Sequence, residues 1–158
     1  MMVLPKSDTE KYMSVARDAA RLSNCCRRAV GAVIVSSGAV IVSASNGTLE
    51  GVTPCNEGGC ARCDSDVMSG GSYEPCLCTH AEQATVAKAA RYGISTEGAT
   101  MYCTLRPCLT CAKICLEAGI IGIIYEETIR FASDVESAYE SLLQSNRLRL
   151  TFQSYSQS

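Results

Sequence analysis

HAEQATVAKAARYGISTEGATMYCTLRPCLTC, residues 80–111, opens with His80-Ala81-Glu82 and closes with Pro107-Cys108-Leu109-Thr110-Cys111. Its first part, with Ala81, Ala84, Ala87 and Ala90 leading to Gly93, predicts a helix from near Thr79 that carries His80 and Glu82 in its first turn and stops at the glycine. Its last part predicts a second helix with Pro107 at the first position, where a missing N–H costs nothing, ending at Gly119. Cys108 and Cys111, three apart, then share a face at the positive end of the helix dipole, which favours the thiolate form that binds metal. One histidine nitrogen and two thiolates are three zinc ligands. They leave the fourth tetrahedral position open, the arrangement of a catalytic zinc site and not of a structural one. Glu82, two positions from His80, is misplaced for coordination but near enough to move a proton, and is the candidate general acid/base. His80 is the only histidine of the chain.

A CxxC pair alone also occurs in redox pairs and structural zinc sites. Combined with His-x-Glu upstream and a proline directly before the pair, it is the signature of the zinc nucleobase deaminases. The chain therefore resembles the cytidine and deoxycytidylate deaminase superfamily. The resemblance extends from the first helix to about Phe131 and includes Asn46-Gly47-Thr48, Tyr92-Gly93-Ile94-Ser95-Thr96 and Ala118-Gly119-Ile120.

The rest of the chain fits that frame. Its 158 residues are read as one deaminase-type domain, with a formal net charge of −2 and no basic block, so a small substrate is expected and nucleic acid is not. No run has the length of a signal peptide or a membrane span, and the expected location is the cytoplasm, with no membrane partner. Eleven cysteines without a secretory signal are read as metal ligands and buried thiols, since the cytosol keeps thiols reduced.

In chain order, Ser7-Asp8-Thr9-Glu10 predicts a capping box and a helix to about Leu22 with Tyr12, Met13, Ala16, Ala19 and Ala20 inward. Ala29–Val35 and Ala39–Ala44 predict a hairpin at the buried heart of a sheet. Ala99–Leu105 and Ile120–Tyr125 predict strands flanking the second catalytic helix, joined by a parallel crossover. Asp134–Gln144, with Val135, Ala138, Tyr139, Leu142 and Leu143 inward, predicts the last helix, and Leu148–Phe152 the last strand. This order matches the fold the resemblance implies: an α/β, cytidine deaminase-like three-layer fold, a mixed five-stranded sheet with helices on both faces and the last two strands parallel.

Residues 48–79 are too long and too aperiodic for an ordinary connection, and they hold Cys55, Cys60, Cys63, Cys76 and Cys78. This stretch, with Cys25, looks like the insertion of deoxycytidylate deaminases, many of which staple it with structural zinc. All six cysteines are candidate ligands of at least one structural zinc, which would replace absent apolar burial. Cys26 is expected to point away, and Cys103 and Cys115 to be buried as small hydrophobes.

The resemblance implies hydrolytic deamination of dCMP to dUMP and ammonia, supplying thymidylate synthesis. Asn46 would hydrogen-bond the deoxyribose, Ala81 and Cys108 would orient the pyrimidine through backbone N–H groups, and Arg130 would meet the phosphate, although Ile129 stands where relatives often have tyrosine. It implies a homo-oligomer, often a hexamer, with dCTP and dTTP as effectors. Two other readings stay open: a superfamily deaminase acting on a nucleoside, a tRNA base or a pathway pyrimidine, and a catalytically silent zinc-binding module.

Overall fold

The computed structural model describes residues 6–66, 71, 73–145 and 148–153. Four helices, α1 (Lys6–Ala20), α2 (Ala81–Tyr92), α3 (Leu109–Glu117) and α4 (Ser133–Ser145), accompany seven strands: β1 (Gly31–Ser36), β2 (Ala39–Ser45), β3 (Gly47–Thr48), β4 (Cys78–Thr79), β5 (Thr100–Leu105), β6 (Gly122–Glu127) and β7 (Arg149–Phe152). Five strands form one sheet in the order β2-β1-β5-β6-β7. The β1/β2 and β1/β5 pairs are antiparallel, and the β5/β6 and β6/β7 pairs parallel. The mixed sheet, the parallel crossover and the parallel last pair are as the element order predicts.

The alternation of β1 explains the layers. Val33 and Val35 point to one face, where they meet Tyr12, Met13 and Ala16 of α1 together with Tyr102. Ala32 and Ile34 point to the other, into the larger core built with Met101, Cys103, Ala112, Ile123 and Tyr139. A period of two on a strand buried on both sides reads as an unbroken apolar run, which is why GAVIV carries no polar residue. The hairpin is not wholly at the heart of the sheet, however. β1 is buried, but β2 is an edge strand with exposed Ala39, Val40 and Ser43, because β5 pairs with the other side of β1.

The α1 backbone lies directly on β1 at Gly31, where a Cβ would overlap the Ala16 carbonyl oxygen. Gly31→Ala is therefore expected to destabilise the fold by about 1–3 kcal/mol or more through overpacking, read as a lowered thermal midpoint. The helix begins at Lys6, so Ser7 stands inside it and is not the predicted N-cap; the Ser7 side chain lies outside the described residues. In α4, Val135, Tyr139, Leu142 and Leu143 face the core as predicted, but Ala138 is exposed, on the solvent side of the stripe they define.

Outside the main sheet, β3 and β4 pair as a small antiparallel ladder, Gly47 with Thr79 and Thr48 with Cys78. This ladder closes the base of the 48–79 insertion, most of whose remainder is turns and one 3₁₀ turn at Cys55–Glu57. The insertion has a separate core made of cysteine sulfur: Cys55, Cys60, Cys63 and Cys78 are buried together, with Cys25 and Cys76 packed against them. No helix among the described residues is long and apolar enough to cross a membrane.

Candidate active site and metal centres

Two helix N-termini meet at the site. His80 is the N-cap of α2, in extended conformation, and its backbone N–H donates to the Gln83 side chain at 3.0 Å, half of a reciprocal cap that fixes the entry of the helix. Gly93, at φ 65°, ends α2 as predicted. Cys108 is the N-cap of α3, also extended, so Pro107 lies one residue before the cap and is not the first helical residue. The shift comes from the extended backbone of Cys108, which aims its sulfur back toward His80. Cys111 then falls one turn into the helix, close beneath it.

The three donor atoms converge. His80 Nδ1 lies 3.3 Å from Cys111 Sγ and 3.6 Å from Cys108 Sγ, and the two sulfurs are 3.4 Å apart. A tetrahedral zinc with ordinary Zn–N and Zn–S lengths separates such donors by about 3.6–3.8 Å, so this set fits the ion with small adjustments. The electrostatics agree. The Cys111 thiol and the His80 ring draw Cys108 down to about 4 against the opposing effect of burial, so Cys108 is a thiolate. Desolvation opposes protonation of His80, but the Cys108 thiolate outweighs it and holds the imidazole above its ordinary value. The convergence of the three donor atoms is what makes this a candidate cation site.

Glu82, on the first turn of α2, is buried, and that burial pushes its carboxyl up to about 7 against the pull of His80. It also contacts the thiol of Cys103 on β5, which is buried as expected but stands next to the carboxylate and not in a purely apolar setting. Cys115 is buried against Met101, in keeping with the small-hydrophobe reading.

His80, Ala81, Glu82 and Cys108 face one pocket, with Asn46, Val30, Leu105, Ile129 and Phe131 on its walls. Ala81, on the pocket wall, is the first residue of α2, where a backbone N–H has no partner within the helix. Asn46 is held tightly: its Oδ1 accepts from Val30 N–H at 2.8 Å and from the Ser23 hydroxyl at 2.6 Å, and its Nδ2 donates to the Arg28 carbonyl at 2.7 Å. The Nδ2 group carries a second hydrogen beyond the one given to Arg28, and Asn46 lies on the pocket wall. Arg130 is exposed and does not line this pocket; Arg27, Arg28, Arg62 and Arg106 do. Arg106 is tied to Glu136 by two hydrogen bonds of 2.8 and 3.0 Å and lies over Phe131 and Tyr139, so its charge is already matched.

The insertion supplies a wall that motif reading misses. Tyr73 meets the His80 ring edge-on, with centroids 4.7 Å apart, and Arg62 lies over Tyr73 at 4.9 Å. An isolated tyrosine in an aperiodic loop carries no sequence signal for this role. Only the folding back of the loop over the site creates it. Cys25, Cys63, Cys76 and Cys78 approach the same pocket from this side.

All six cysteines named as structural ligands come together. Cys25, Cys55, Cys63 and Cys78 form one set of four mutually close sulfurs, and Cys60, Cys63, Cys76 and Cys78 another. Cys26, expected to point away, is exposed and in neither set, yet its sulfur lies 3.7 Å from that of Cys55 and its backbone N–H donates to the same atom.

Comparison with known proteins assigns this arrangement. Residues 6–127 match the family model described as "Cytidine and deoxycytidylate deaminase zinc-binding region". The chain belongs to the cytidine and deoxycytidylate deaminase family. A deoxycytidylate deaminase of Schizosaccharomyces pombe is 39% identical over 139 residues, which are 88% of this chain and 42% of that protein. A deoxycytidylate deaminase of Mycobacterium phage D29 is 31% identical over 126 residues, 73% of this chain and 91% of that protein. The crystal structure of the dCMP deaminase of cyanophage S-TIM5 in complex with dCMP and dUMP superposes with a TM-score of 0.74 at 29% identity, over 95% of this chain and 99% of that one. The chain spans about two fifths of the length of the fission yeast relative.

Proposed function

We propose that the protein is a zinc-dependent dCMP deaminase that hydrolyses dCMP to dUMP and ammonia and so supplies dUMP for thymidylate synthesis. The observation that carries the reading is the convergence of His80, Cys108 and Cys111 within 3.6 Å of one another beside the buried Glu82, at the floor of a pocket rimmed by arginines. Kinship with proteins named deoxycytidylate deaminase supports the choice of substrate.

Zinc held by His80, Cys108 and Cys111 supplies Lewis acidity, which makes a water molecule nucleophilic near neutral pH. Glu82 takes the proton of that water and delivers it to N3 of the cytosine ring, so that C4 accepts the oxygen. The same carboxyl then takes the proton of the hydroxyl added at C4 and carries it to the 4-amino group, so that the C4–N bond breaks, ammonia leaves and C4 becomes the carbonyl of uracil. The two α-helix N-termini, through the N–H groups of Ala81 and Cys108, orient the ring, and the second hydrogen of Asn46 Nδ2 is available to the deoxyribose. Residues 48–79 act as a zinc-stapled insertion of the same single domain, with a structural zinc site separate from the catalytic one. The family resemblance supports association into homo-oligomers and control by dCTP and dTTP, to be read from light scattering and from the two nucleotides' effects on rate.

For the phosphate, Arg28 is the better placed candidate: it is exposed on the pocket wall, three residues beyond Cys25, whereas Arg130 is outside. Ammonia release from dCMP, deoxycytidine and CMP on one metal-replete preparation tests the whole reading. Turnover confined to dCMP supports it; turnover on deoxycytidine alone overturns the nucleotide specificity. Arg28→Ala is expected to lower kcat/KM for dCMP about 10–100-fold, the worth of a charge-assisted contact, through KM. A larger loss in Arg130→Ala would return the contact to that residue.

A further inference from the structure

The six sulfurs of the insertion pose a counting problem. A single tetrahedral ion uses four thiolates and leaves two sulfurs beside it outside its coordination, one of them buried. Two separate tetrahedral ions require eight, and this cluster has six. The geometry resolves the deficit, because the two sets of four have the same two members in common, Cys63 and Cys78.

Cys63 is the hub. Its sulfur is 3.9 Å from that of Cys25 in one set, 3.8 Å from that of Cys76 in the other, and 3.9 Å from that of Cys78, the second shared member. Within the second set, Cys60 and Cys76 are 3.8 Å apart. These spacings match the edge of a zinc–sulfur tetrahedron, about 3.8 Å. Two tetrahedra that share the Cys63–Cys78 edge reproduce the whole arrangement. We infer that the insertion binds two divalent metal ions, with the thiolates of Cys63 and Cys78 bridging them, Cys25 and Cys55 completing one ion and Cys60 and Cys76 the other.

The surroundings suit such a cluster. Cys60 Sγ accepts from the backbone N–H of Leu77 at 3.3 Å, and Cys55 Sγ from that of Cys26 at 3.5 Å, so terminal sulfurs of both halves carry the N–H donors that disperse thiolate charge. Six thiolates and two divalent ions leave two negative charges, and the guanidinium groups of Arg27 and Arg62 are close by in sequence and on the same wall. Cys63 and Cys78 are both buried, at 6% and 7% exposed, as sulfurs enclosed between two ions must be; Cys55 and Cys60 are buried with them, and Cys25 and Cys76 are half-buried at the outer ends of the two sets. The inference rests on the proposal that the insertion holds metal, and on nothing in the catalytic assignment.

The test replaces zinc by cadmium-113 in the full chain and correlates cysteine β-protons with cadmium resonances. The expected result is three cadmium signals per chain, two of them from all-thiolate sites, with the β-protons of Cys63 and Cys78 each coupled to two cadmium ions and those of the other four cysteines to one. A single all-thiolate signal, or coupling of Cys63 and Cys78 to one ion each, overturns the bridged cluster while leaving a structural metal in place. No all-thiolate signal overturns both, and the signal of the His80 site reports independently on the catalytic reading. Native mass spectrometry of the zinc protein gives a second count, with Cys60→Ser expected to lose one zinc and Cys63→Ser two. Equal losses in the two variants, in chains that remain folded, oppose the bridging role.

Discussion

Glu82→Gln is expected to leave the metal content of the protein unchanged and to lower turnover about 10²–10⁴-fold, the range typical of a lost general acid/base. The reason lies in the separation of roles at the start of α2. His80, at the N-cap, points its Nδ1 at the two sulfurs, whereas Glu82 is two residues on and buried against the floor beside Cys103. The variant is close to isosteric, so the pocket keeps its shape and the ligands their positions. What disappears is a group that exchanges protons near neutrality, because desolvation pushes the Glu82 carboxyl up to about 7. Metal analysis and dCMP turnover on the same sample check the result. Near wild-type turnover would remove Glu82 from the mechanism, and loss of metal together with turnover would make it a structural support of the ligands.

Stripping metal from the protein has the second large effect, and it acts on stability. Structural zinc in small thiolate sites contributes apparent binding free energies of about 10–16 kcal/mol near pH 7, comparable with the whole stability of a domain. Among its described residues the insertion has no apolar core to fall back on, since its buried centre is Cys55, Cys60, Cys63 and Cys78. Without metal, burial pushes Cys63 and Cys78 well above the ordinary thiol range, so these two are neutral, while backbone N–H donors outweigh burial at Cys60 and draw it down to about 6. Exhaustive chelation is expected to lower the thermal midpoint steeply and to abolish hydrogen-exchange protection between Cys55 and Cys78, both restored by zinc. Unchanged protection in the metal-free chain would show that the insertion is held by something other than metal. Turnover is expected to fall with the insertion, because β4 runs straight into His80 and Tyr73 packs on its ring.

The sequence alone determined the elements that obey local rules. The unbroken apolar run GAVIV, the alanine-rich run ended by Gly93 and the PCLTC motif each encode their structure within a few residues, and they led to the sheet, the two helices that carry the candidate site and the convergence of His80, Glu82 and Cys108 on one pocket with Cys111 beside them. Boundaries moved where a cap decided them. His80 and Cys108 became N-caps and Pro107 fell outside its helix, because an extended residue before the first turn is what aims each donor inward. The placing of the hairpin at the edge depended on which strand β5 would join, a non-local pairing with no signature in either strand.

Apart from Asn46, the polar walls of the site belonged to the tertiary structure. Arg28, Arg62, Tyr73 and Arg106 come from three separate segments, Arg62 and Tyr73 both from the insertion, and their convergence depends on that insertion folding back over the site, while Arg130, adjacent to the pocket residue Ile129 in sequence, turns to solvent. Six cysteines were legible as candidate ligands because thiolate chemistry is a property of residue type. That Cys63 and Cys78 are common to both sets of four was not, because sharing is a relation between distances. Only the folded chain brings Cys25, thirty residues before Cys55 in sequence, into the set that they complete.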